Sequence, residues 1–449
     1  MQGGMGASLP LWSVLPFAGI LLSIALFPLL APRFWHHHYP KVAAAWGAFT
    51  AVPFLAVYRG EALHSVLHTY LLEYLPFIIL LWSLFTVAGG VVVRGSISGT
   101  PRANVALLGI GTLVASWVGT TGASMLLIHP LLRGLANRRH RAHTVVFFIF
   151  LVSNIGGVLT PLGDPPLFLG FLNGVPFFWT LRCLPHMLFL VAILLAVYVG
   201  LDWRYYSRER AEHTPAPARE PLRLDGLQNL PLLLGIVASV LLSGVLHLPE
   251  VRIAGLAFAL QNLLRDAALV ALGLVSLRIT PHALRAANQF SWAPIREVAY
   301  LFAAIFMTMI PALVILRAGE AGHLHAFIRA ANAPIGYFWI TGGLSSFLDN
   351  APTYLTFLNT ALGKFHPGVP THEAVHHLIA EHESVLVAIS CGAVFMGANT
   401  YIGNAPNFMV RSIAEERGIA MPSFFGYMLR WSVPILVTSF LLVTAVFFR

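Results

Sequence analysis

Asp164 and Asp349 offer the most chemistry in this chain, because each lies in a long apolar stretch, where a carboxylate is costly and by default functional. Hydroxyl and amide side chains accompany them in the same stretches. Thr120, Thr121, Ser124, Ser153, Asn154 and Thr160 belong to the first half, and Asn350, Thr353, Asn399, Thr400 and Asn404 to the second. Such groups, with carbonyls freed where a helix breaks, are hard oxygen ligands suited to a small alkali cation, and half-helix ends add partial charge. The two aspartates are the candidate sodium ligands. They would also carry protons, since protonation cancels the charge that holds sodium and sodium favours the ionised carboxylate. Any single Ser or Thr can instead back-bond to its own helix, and Asp164 before Pro165-Pro166 or Asp349 before Ala351-Pro352 can serve as a helix N-cap. No Lys or Arg falls in these polar segments, so a bound cation or proton is expected to balance the acids. Neither a nucleophile motif nor a Walker loop nor a resident-metal motif is present, which argues for a transporter needing no cofactor and against an enzyme.

The elements that must position these groups are unusual. Thr160-Pro161-Leu162-Gly163-Asp164-Pro165-Pro166-Leu167-Phe168 reappears 240 residues later as Thr400-Tyr401-Ile402-Gly403-Asn404-Ala405-Pro406-Asn407-Phe408. Each copy must break a helix inside an apolar run, which costs several kcal/mol per unpaired backbone group unless protein lines the break. Paired interruptions in two halves of a membrane protein point to a transporter's binding site. Two more apolar stretches, about 105–132 and 334–362, carry polar clusters at mid-length and read as re-entrant hairpins.

Composition sets the frame. With 57% hydrophobic and 10% charged residues among 449, the chain is an all-α polytopic membrane protein. Spans are expected at about 9–31, 41–58, 74–93, 143–172, 176–201, 227–247, 251–277, 295–316, 384–410 and 430–448, those at 143–172 and 384–410 being the broken ones. If both hairpins enter and leave on one side, 19 of the 27 Lys and Arg fall in loops assigned to the cytoplasm, including Arg133, Arg138, Arg139 and Arg141. That bias favours hairpins over spans and puts both termini outside a cytoplasmic (inner) membrane. The chain then divides into 1–201 and 227–449, joined by a cytoplasmic linker at 202–226. Each half has three spans, a hairpin and two spans, and an odd number of spans makes the two repeats inverted. The net charge of +9 is a topology signal with no indication of nucleic acid, and the lipid bilayer is the expected partner. Cys183 and Cys391 read as packing residues. His366, His372, His376, His377 and His382 read as an exposed polar loop, with metal binding the alternative.

The Thr160–Pro166 segment after Ser153-Asn154-Ile155-Gly156-Gly157, the Asp349-Asn350-Ala351-Pro352-Thr353 tip and Gly397-Ala398-Asn399-Thr400 together resemble the ion transporter superfamily. That group includes NhaD-type sodium/proton antiporters, citrate-metal symporter-like carriers, arsenite-pump membrane subunits and divalent-anion/sodium symporters. The resemblance covers essentially the whole chain. It implies a scaffold domain, often dimeric, and a transport domain that contains the hairpins and moves as an elevator. The anion symporters resemble Ser-Asn-Thr at both tips, whereas Gly119-Thr120-Thr121 and Asp349-Asn350-Ala351 stand here and the first break carries Asp164. The added acid favours a cation exchanged for protons, so sodium/proton antiport is the expected function. A sodium- or proton-coupled citrate carrier, or an arsenite-type subunit working with an ATPase, is the alternative.

Overall fold

The computed structural model describes residues 2–95, 98–209, 222–253, 255–324 and 333–448. Of the linker expected at 202–226, residues 210–221 lie outside these. Among the described residues, eight helices are long and apolar enough to cross a membrane, and the chain is an all-α polytopic membrane protein.

A first group of helices packs together: α1 (Leu15–Leu30), α2 (Pro32–His68), α3 (Leu75–Ala88), α9 (Asn229–Val245), α10 (Leu260–Ile279) and α11 (Ala293–Arg317). The second group holds α4 (Pro101–Val118), α5 (Thr120–Gly134), α6 (Ala142–Leu151), α7 (Pro165–Leu172), α8 (Leu184–Glu209), α12 (Pro334–Ser345), α13 (Asn350–Phe365), α14 (Thr371–Met396), α15 (Ala405–Glu416) and α16 (Thr438–Phe447). The groups meet mainly where α13 packs on α11 and α5 on α3. Apolar residues all round α6 put it at the centre: the window Ala142–Leu159 is 94% buried, against 22% for Leu260–Ile279. Two hairpins appear where expected. Helices α4 and α5 turn at Gly119, whose φ of 81° excludes most side chains, and α12 is joined to α13 through 346–349.

Both long helices break as the repeated segment requires. Backbone between α6 and α7 runs through a tight turn at Ile155–Leu159, and that between α14 and α15 through Gly397–Asn399. Two expectations need correction. Residues 364–383 are no polar loop, for α14 begins at Thr371, after Pro370, and runs to Met396 with a kink at His382. Its histidines lie on a helical face, where His377 approaches Glu373 at 3.7 Å and Glu381 at 3.8 Å. The span expected at 251–277 begins with a β-hairpin, β3 (Glu250–Ile253) against β4 (Leu256–Ala259), because Gly255 at φ 81° turns the chain between β-branched and aromatic residues. The spans expected at 41–58 and 74–93 lie in the stretch Pro32 to Ala88, where two helices meet at a kink at Arg59 and the second widens into a π-helical turn at Thr69–Tyr74.

Candidate ion and substrate site

Four helices start at one place in the second group. The residues preceding their first turns are Gly119 for α5, Asp164 for α7, Asp349 for α13 and Asn404 for α15. Each start is forced locally, by the proline pairs or Ala-Pro after Asp164 and Asn404, and by Gly119 and the Asp349 cap in the hairpins. The Asp164 carboxylate joins all four. Its Oδ1 accepts from Thr120 Oγ1 at 3.1 Å and from Asn404 Nδ2 at 3.2 Å, while its Oδ2 accepts from Asn350 Nδ2 at 2.5 Å. It is buried, and its side chain makes no capping bond to its own helix. Asp349 differs: its Oδ1 accepts from Ala351 N at 3.1 Å, and Thr353 Oγ1 donates to its carbonyl at 2.9 Å. One acid is therefore shared between elements, and the other caps its own helix.

A helix N-terminus carries roughly half a positive charge. Four such ends converge on Asp164 with three neutral donors, and among the described residues no basic side chain contacts it.

The two breaks are built alike. Thr160 Oγ1 donates to the Ser116 carbonyl and accepts from Leu162 N, and Thr400 Oγ1 donates to the Ser346 carbonyl at 2.5 Å and accepts from Ile402 N. These threonines tie each break to the hairpin helix beside it. A Cβ at Gly163 would strike the Gly157 carbonyl, and one at Gly403 the Gly397 carbonyl, so both crossings need glycine. Gly163 O in turn accepts from Thr120 N at 2.8 Å.

Other predicted residues lie around this centre. Ser124 and Ser153 share a 2.8 Å hydrogen bond, and Asn404 Nδ2 also reaches Ser153 O and Asn154 Oδ1. Asn399 Nδ2 donates to Ser346 Oγ at 2.9 Å, whereas half-buried Thr121 makes no side-chain hydrogen bond among the described residues. Sequence reasoning missed three participants. Ser116 and Ser346 receive the break threonines, and Asn407 accepts from Asn154 at 2.6 Å while donating to Gly397 O and Thr400 O. Asn407 stands where the first copy has Leu167, a polar-for-apolar exchange that could have drawn attention. Among the described residues, two buried acceptors in these segments find no donor: Asn350 Oδ1, next to Asp164, and Asn399 Oδ1. Orphaned oxygens of this kind are what a cation or a hydroxyl-bearing ligand would satisfy.

A comparison with curated proteins returns no match. The family described as "Putative citrate transport" matches residues 6–448, nearly the whole of this multi-pass membrane protein, and the chain belongs to that family.

Proposed function

We propose that the protein is a cation-coupled secondary transporter of a citrate-type carboxylate in the cytoplasmic membrane, with Asp164 and its neutral partners holding the coupling ion. One observation carries the reading: four helix N-termini converge on a buried centre where no basic side chain among the described residues contacts Asp164. Together they supply about two positive charges of partial character, against the carboxylates of Asp164 and Asp349. A cation bound at Asp164 would tip the balance towards an anionic cargo. Family membership supports the same reading.

Sodium/proton antiport is the second reading, favoured by the unpartnered oxygen of Asn350 beside an acid that protons and sodium would contest. Both readings share the sodium or proton at Asp164. The matched turns at Thr160 and Thr400 support two inverted repeats, 1–201 and 227–449. The two groups of helices would then act as scaffold and elevator, in a homodimer with the termini outside.

The test uses the purified chain in proteoliposomes, with labelled citrate uptake measured under an inward sodium or proton gradient. Sodium-evoked dequenching of an internal pH dye is followed in parallel without citrate. Saturable uptake that needs the cation gradient is expected, and transport by the chain alone would remove the ATPase-subunit alternative. Dequenching by sodium alone, with no citrate uptake, would transfer the function to antiport. In that case the apparent sodium constant should rise about tenfold per unit fall in pH below the site's pKa.

A further inference from the structure

A groove of about 580 Å³ opens where the chain enters its last apolar span, beside the end of α8. Leu201 and Tyr205, one turn apart on α8, line it together with residues 420–422 and with Arg430, Trp431 and Ile435 of the π-helical stretch Met428–Val437. Its volume falls in the range of small-molecule sites, about 300–1,000 Å³. Packing fixes two of its sides. The Tyr205 ring stacks on His140 with centroids 4.6 Å apart, and the Pro422 carbonyl accepts from Tyr401 Oη at 3.1 Å, which seats that side on the second helix break.

The lining carries one sign of charge. Arg430 is exposed and, among the described residues, enters no hydrogen bond or ion pair. Tyr205 Oη and Trp431 Nε1 likewise make no hydrogen bond among the described residues, so three donor groups remain unspent. Among the described residues no acid lines the groove. Acids at this end are engaged elsewhere: Asp202 and Glu209 bond the buried Arg138 at 2.7 and 2.5 Å, and Glu415 pairs with Arg411 at 2.9 Å. Exposed Glu416 is followed by exposed Arg417, while Arg204 and Arg208, also exposed, extend the positive side along α8. Leu201, Met421 and Ile435 supply apolar surface in the same groove. A free cation and two spare donors beside apolar walls suit a ligand with an anionic head and a hydrocarbon body. The groove also lies at the ends of two apolar spans, in segments that the charge bias assigns to the cytoplasm, where Trp and Tyr sit at headgroup level and the leaflet surface is anionic.

We propose that this groove is a binding site for one anionic phospholipid, with Arg430, Trp431 and Tyr205 holding the phosphate and Leu201, Met421 and Ile435 the start of the acyl chains. The inference depends on neither the cargo nor the coupling ion, so failure of citrate uptake would leave it standing.

The test is native mass spectrometry of the purified full chain with phosphatidylglycerol or phosphatidylcholine of identical acyl chains. One phosphatidylglycerol per chain should be retained about fivefold or more tightly than phosphatidylcholine, the scale of one basic residue at an anionic surface. Arg430→Gln should abolish that preference and Arg430→Lys should keep most of it. Ala420→Trp, which fills the groove, should displace the lipid with Arg430 still in place. Arg278→Gln, a change at an exposed cation on α10, should leave the preference intact. Excess glycerol phosphate should not compete, and displacement by it would make this a site for free phosphate and overturn the lipid assignment. Equal retention of the two lipids by the unaltered chain, or equal losses in Arg430→Gln and Arg278→Gln, would overturn it as well. A dimer that Ala420→Trp dissociates without loss of lipid would give the groove to a second copy of the chain instead. If Ala420→Trp does not fold, Arg430→Gln against Arg278→Gln decides alone.

Discussion

Asp164 is the residue on which the centre closes, since it collects a donor from each of the other three helix starts. An isosteric amide would keep the shape yet lose the charge, and it would oppose its own NH₂ to those of Asn350 or Asn404. Asp164→Asn is therefore expected to cut cation-driven uptake at least about tenfold, the scale of a lost charged ligand, while the protein stays in the membrane. Uptake in proteoliposomes, with thermal unfolding as the folding control, checks this. Normal transport by the variant would make the carboxylate purely structural. Asp349 was readable either as an ion ligand or as an N-cap, and its bond to Ala351 N establishes the cap. Two apolar runs could be seen to contain an acid each; which acid crosses to other elements depends on where the helix starts meet.

At the level of elements, the breaks hold because glycine, threonine and a neighbouring hairpin helix supply what the missing helical bonds would have given. A different device closes one end of the second group. Arg138, counted from sequence as a loop charge, is buried and bonds Asp202 at 2.7 Å and Glu209 at 2.5 Å, with His143 on the same Asp202 oxygen at 2.9 Å. These pairs fasten the loop between α5 and α6 to the end of α8. Removing one partner of a buried pair strands the other charge, at a cost of about 3–5 kcal/mol. Arg138→Gln should lower the unfolding temperature well beyond Arg139→Gln, whose side chain is exposed. Equal stability of the two variants would show that the cluster contributes little. Charge counting could not detect the pairing, because residues 138, 202 and 209 meet only through the fold.

For the whole molecule, the arginine-rich loop after α5 and the acidic, histidine-bearing start of α14 should lie on opposite sides of the membrane. Cysteines are best placed at exposed positions, Ala136 and Asn137 in the first case and Glu373 and His377 in the second. An impermeant thiol reagent applied to intact cells is expected to label the second pair and spare the first. Labelling of both pairs would remove the inverted-repeat topology. The native Cys183 and Cys391 are buried and should contribute little background.

Hydropathy alone determined that this is a polytopic helical membrane protein, because crossing a bilayer without satisfied backbone is too costly for another solution. The repeated Thr-x-x-Gly segment likewise located both helix breaks, since proline and glycine act through local backbone geometry. Local signals also exist for the β3–β4 turn at Gly255 and the start of α14 after Pro370, but apolar content and polar composition concealed them. Only the tertiary structure decided that Thr160 and Thr400 tie the breaks to hairpin helices, that Asn407 joins the centre, and that helix ends support Asp164. Those outcomes depend on contacts between segments up to 253 residues apart, and on the direction in which helices meet, neither of which is encoded in any single stretch of chain.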